Sequence, residues 1–112
     1  MCAVKAPSQP MKLLQLFLPL YDNQGHAFPK AYFDHIREDL AKNFGGVTAF
    51  VRSPAVGVWE NDNGAVCRDD VVLFEVIVDA VDRDWWSSYR RGLERQFSQD
   101  TILVRATEID LL

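Results

Sequence analysis

A chain of 112 residues, 48% hydrophobic and 25% charged, has the length of one domain and enough apolar content to bury a core. Sixteen acidic against twelve basic residues give a formal net charge of −4, which removes the basic footprint of a nucleic-acid binder. Two cysteines, Cys2 and Cys67, are too few for a disulfide framework and read as reduced thiols. Met1 to Pro10 lacks the basic-then-apolar order of a signal peptide. The most apolar run, Leu13 to Leu20, is far shorter than the ~20 residues of a membrane span. The expectation is a cytoplasmic protein with no membrane partner.

In chain order, residues 1–11 read as a loose arm and 12–112 as a single domain. Leu13 to Tyr21 alternates as a strand, with Leu14, Leu16, Leu18 and Leu20 on one face. Pro19 belongs at its edge, bulge or end. Asp22-Asn23-Gln24-Gly25-His26 is a turn-rich loop. Pro29 opens a helix to about Phe44, because proline suits the first turn and Phe33, Ile36, Leu40 and Phe44 form a 3.6-residue stripe. Gly45-Gly46 ends it. Val47 to Arg52 is a second strand. Gly57 to Glu60 and Ala65 to Arg68 flank Asn61-Asp62-Asn63-Gly64, a hairpin signal. Val71 to Val78, apolar except for Glu75, is a central strand. Asp82 caps a helix from about Arg83 to Phe97, with Trp86, Tyr89, Leu93 and Phe97 inward. Gly92 within it costs ~1 kcal/mol relative to alanine, and close contact with the sheet is the expected reason. Ile102 to Ile109 is the last strand.

The order β–α–β–(hairpin)–β–α–β predicts an α+β, ferredoxin-like split β-α-β sandwich. It has an antiparallel sheet, two helices on one face and an inserted β-hairpin. The run Phe44-Gly45-Gly46-Val47-Thr48, then Gly57-x-Trp59, then Leu93-Glu94-x-x-Phe97-x-Gln99, resembles a family of small bacterial domains with no assigned activity. That resemblance implies a ferredoxin-like or dimeric α+β barrel fold over roughly Phe17 to Val104.

With both helices on one face, the other carries Gln15, Phe17, Tyr21, Thr48, Phe50, Arg52, Leu73, Glu75, Ile77, Leu103, Arg105 and Thr107. This set is too apolar to face water as one patch and too charged for a dry core. It suits a second subunit's sheet or a partly enclosed ligand pocket, so a homodimer and a small-molecule ligand are the expected partners. The candidate ligand-binding residues are Tyr21, Phe50, Arg52, Trp59, Glu75 and Arg105. Arginine orients an anionic or carbonyl group, and the aromatics supply apolar contact. Glu75 reads first as the charge partner of Arg52 or Arg105, and second as a general base in an apolar pocket. His26, in a glycine-flanked loop, is the other catalytic candidate, against the plainer reading of a solvated loop histidine. Trp59 reads as folding over a sheet edge or the partner subunit, against the alternative of a pocket wall with Tyr21 and Phe50.

Neither His26 nor His35 has metal-ligand spacing, so no metal and no cofactor is expected. No phosphate-cradling loop, nucleophile elbow or Cys–His pair is present. Two functional readings follow from the residues. One is a homodimeric binding module with a cavity on the helix-free face. The other is a cofactor-light enzyme, isomerase or monooxygenase-like, of the dimeric α+β barrel type.

Overall fold

A computed structural model describes residues 10–45, 48–52, 59–60, 66–67 and 70–112. Among the described residues, six strands and two helices follow the expected order: β1 Pro10–Pro19, α1 Lys30–Phe44, β2 Thr48–Arg52, β3 Trp59–Glu60, β4 Val66–Cys67, β5 Val71–Val78, α2 Arg83–Gln96 and β6 Leu103–Asp110. Four strands form one sheet in the order β2-β5-β1-β6. Every neighbouring pair in it is antiparallel. Each helix therefore connects two strands separated by a third, and the two β-α-β units interleave. β3 and β4 form a separate two-stranded ladder that pairs Trp59 with Cys67 and Glu60 with Val66.

β1 takes in Pro10 and Met11, which alternation alone assigned to the arm. β6 runs far enough to pair them, with Pro10 opposite Asp110 and Met11 opposite Ile109. Proline as a strand's first or last residue sacrifices little of the ladder, and Pro10 and Pro19 are the two ends of β1. The remainder of the expected arm (1–9), the second glycine of the helix stop (Gly46) and the hairpin turn (61–64) lie outside the described residues.

The helices form where the apolar period demands. α1 buries Phe33, Ile36 and Leu40. Gly45 closes it at φ +77°, where a side chain would be strained, and its N–H donates to the Ala41 carbonyl at 2.8 Å. α2 starts at Asp82, whose Oδ1 accepts the Trp85 N–H at 3.1 Å. Its far end is tied to the sheet, because Glu94 Oε2 accepts the Ile102 N–H at 2.9 Å. Both helices cover the same sheet face. Leu14, Leu16 and Leu18 of β1 and Val72, Phe74 and Val76 of β5 share one buried cluster with the α1 stripe, Trp86, Leu93 and Phe97. Aromatic rings close the layer at both ends. Phe28, Tyr32 and Phe33 surround Phe97. Phe44, Trp85, Trp86 and Tyr89 stack or meet edge to face.

Candidate functional site

The helix-free face is organised in cross-strand rows, since residues paired across an antiparallel ladder project to the same side. One row reads Thr48–Glu75–Gln15–Arg105 across β2, β5, β1 and β6. The next reads Phe50–Leu73–Phe17–Leu103, and a third holds Ile77, Leu13 and Thr107.

The polar row is bonded side chain to side chain. Gln15 Nε2 donates to Glu75 Oε2 at 2.7 Å, and Arg105 Nε donates to Gln15 Oε1 at 2.7 Å. The amide thus uses its donor end on the carboxylate and its acceptor end on the guanidinium, which fixes its orientation. Arg105 also lies over the Phe17 ring, 5.1 Å from its centre.

This corrects the direct ion pair expected between Glu75 and an arginine. β1 stands between β5 and β6, so Glu75 and Arg105 are two strand spacings apart, about 9.5 Å, and Gln15 fills the gap. The other expected partner, Arg52, is opposite Val71, while Thr48 faces Glu75. Four residues of strand, about 13 Å, separate the two positions.

The remaining candidates fall in three places. Phe50 pairs with Leu73, two strand positions from the Thr48–Glu75 pair. Tyr21 lies beyond the end of β1, in an isolated bridge with Ala27. Trp59 belongs to the separate β3-β4 ladder. His26 is not brought to Glu75. It sits in the loop past Pro19, itself four residues beyond Gln15, and is largely exposed. There the backbone N–H of His26 donates to Asp22 Oδ1 at 2.9 Å. That bond is the main reason the Asp22 carboxyl is held below its ordinary value, and the Gln24 N–H adds to it. The loop is a carboxylate-pinned turn.

Gln15, placed on this face by alternation but not among the candidate ligand residues, is the bridge of the polar row. Its signal was present: Gln15 is the single polar side chain between Leu13 and Leu20, and Glu75 is the single one between Val71 and Val78. Pairing two lone polar residues in facing strands would have set them opposite each other.

Gly92 also departs from expectation. A Cβ built there meets nothing within 4 Å, so no sheet contact explains the glycine. It lines an open cleft of about 310 Å³ between α1 and α2, with His35, Asp39, Ser88, Tyr89 and Gln96 around it. Tyr89 donates its hydroxyl to Asp39 Oδ2 at 3.0 Å. Burial, reinforced by that bond, pushes the phenol well above its ordinary pKa.

Among the described residues no group of three or more His, Cys, Asp or Glu is placed to hold a metal ion. No described helix is long and apolar enough to cross a membrane.

Fold and site together define a small α+β domain with one helix-covered and one helix-free sheet face. No protein-family model and no curated protein matches the chain. Among solved structures it is similar to a phage SAM lyase in complex with S-methyl-5'-thioadenosine. The two are 13% identical over 90% of each chain, with a TM-score of 0.58. At that identity the likeness is one of fold.

Proposed function

We propose that the chain is a ferredoxin-like domain that pairs with a second copy through its helix-free sheet face and holds a small molecule there. The observation that carries this reading is the exposure of large apolar residues around the Arg105–Gln15–Glu75 row. Ile77 is 46% and Leu103 52% exposed, and they flank side chains already ordered by hydrogen bonds. Covering such residues is worth ~1.5–3 kcal/mol for each full side chain buried. Assembly through Trp85 is disfavoured, because its ring already meets Phe44, Trp86 and Tyr89.

In this reading Glu75 and Arg105 supply opposite charges to the ligand, Phe17 and Phe50 supply apolar contact, and Arg52 and Tyr21 mark one end of the site. Trp59 is the wall. The test is sedimentation velocity on the wild type and on Ile77→Asp. The substitution touches a half-exposed side chain, so the monomer is expected to keep its fold while the dimer is lost. A wild type that sediments as a monomer at tens of micromolar overturns the reading.

The likeness to a SAM lyase favours a second reading, an enzyme acting on a small sulfonium or nucleoside substrate without a cofactor. Glu75 would be the carboxylate facing the cationic centre. Incubation with S-adenosylmethionine, followed by chromatography for S-methyl-5'-thioadenosine, separates the two readings. Turnover lost in Glu75→Gln supports the enzyme. Binding of S-methyl-5'-thioadenosine without turnover supports the binding module.

A further inference from the structure

The opposite side of the sheet carries a second cleft, of about 230 Å³, between α2 and β6. Its apolar part is Leu14, Val81, Val104 and Ala106, with the Trp86 ring as a wall. Its side-chain charge comes from Arg83 and Arg90 on α2. They lie seven residues, two helical turns and about 10 Å, apart on one helix face, with Ser87 between them. Arg105 also borders the cleft, but its guanidinium is bonded to Gln15 and lies over Phe17, so it is not counted. Among the described residues no carboxylate lines this cleft, although the chain as a whole carries a net charge of −4.

Among the described residues both arginines keep donors free. Arg83 makes no ion pair among the described residues. Arg90 Nε stands 3.9 Å from Glu94 Oε2, which already accepts the Ile102 N–H at 2.9 Å. A guanidinium has five N–H donors, so most of those on Arg90 remain available. Trp86 adds an independent observation. Its indole Nε1–H is buried and finds no acceptor among the described residues, whereas buried donors are normally bonded.

We propose that this cleft is a binding site for a small oxyanion, carboxylate or phosphate, carried on a short apolar stem. Arg83 and Arg90 hold the charged end by paired hydrogen bonds, and the stem lies along Leu14, Val104 and Ala106 against Trp86. A cleft of about 230 Å³ has room for a stem of a few carbons. The site lies on the helix-covered side of the sheet, and of the helix-free row only Arg105 borders it.

The test is titration of the full chain with hexanoate, hexyl phosphate, inorganic phosphate and hexylammonium, followed by the Trp86 indole N–H resonance. Hexanoate, hexyl phosphate or both are expected to shift it with a dissociation constant of roughly millimolar or tighter, and the double variant Arg83→Gln/Arg90→Gln to weaken binding about tenfold or more. Which of the two binds tells a carboxylate site from a phosphate site. Both substituted side chains reach solvent, so the variant is expected to fold, and Ile77→Asp should leave the titration unchanged. No shift with either hexyl anion overturns the proposal. So does binding that survives the double substitution, binding shared by hexylammonium, or inorganic phosphate binding as tightly as hexyl phosphate.

Discussion

The two faces of the sheet are built from the same strands and differ in what they leave exposed. On the helix-covered face, Leu14, Leu16, Leu18, Phe74 and Val76 are all 3% exposed or less. Aliphatic and aromatic volumes close over one another there, and the Trp86 indole N–H is the buried polar atom left without an acceptor among the described residues. On the helix-free face burial is graded. Leu73 at the centre is 3% exposed, while Ile77 and Leu103 are about half exposed. Polar groups there are bonded in a row rather than excluded. One face thus spends its residues on packing. The other leaves apolar area exposed beside a row of oriented hydrogen-bonding groups.

The contrast is broken or sharpened most strongly by substitution of Phe74, which is 1% exposed in the covered core. Phe74→Ala should cost ~3–5 kcal/mol in urea unfolding. Ile77→Ala, three residues along the same strand but on the other face, should cost no more than about 0.5 kcal/mol in the isolated chain. An Ile77 cost that grows with protein concentration would show a second copy covering that face.

The polar row comes next. Gln15→Ala removes both of its side-chain hydrogen bonds and leaves Glu75 and Arg105 on strands about 9.5 Å apart with no bridging amide. The expected loss is about 1–2 kcal/mol, read by the same unfolding experiment. A neutral result would make the row incidental to folding.

That row also marks where sequence reasoning stops. Alternation assigns each residue to a face, because the side-chain period of a strand is two. It assigned Phe74 and Val76 inward and Glu75 outward, as found. Alternation says nothing of the offset between strands distant in sequence, which is set by how long segments close against a common core. Arg52 therefore fell opposite Val71 rather than beside Glu75, and Gln15 took the place that an arginine was expected to fill. The helices were legible almost to the residue, because Asp82, Gly45 and the 3.6-residue stripes are local signals. Gly92 was misread because helical sequence reports a glycine's conformational cost and never its surroundings.

The covering layer can be weakened at its start. Asp82→Ala removes the acceptor of the Trp85 N–H and should lower stability by about 1 kcal/mol, measured as a fall in Tm with helix content retained. Gly92→Ala works in the opposite direction. The added methyl meets nothing within 4 Å, and the glycine has no positive φ, so the alanine should stabilise the fold by roughly 0.4–1 kcal/mol. A loss of stability instead would show that the α1–α2 cleft closes further in solution than its present width.

The smallest effect is a pH dependence in that same cleft. Burial and the bond to Asp39 raise the Tyr89 pKa above 10.0, so the folded chain favours the neutral phenol more than the unfolded chain does. A group raised in this way contributes stability that is complete below its unfolded value. The contribution is lost as the pH rises above 10 toward the folded value, where the unfolded state ionises first. Wild-type stability should therefore fall between pH 8 and pH 11, and Tyr89→Phe should remove part of that slope. The variant gives up the hydrogen bond at neutral pH, so its deficit should be largest at pH 8 and should narrow at pH 11. Urea midpoints for both proteins at the two pH values decide it. Equal slopes would mean that Tyr89 reaches water freely and that the cleft is open down to its hydroxyl.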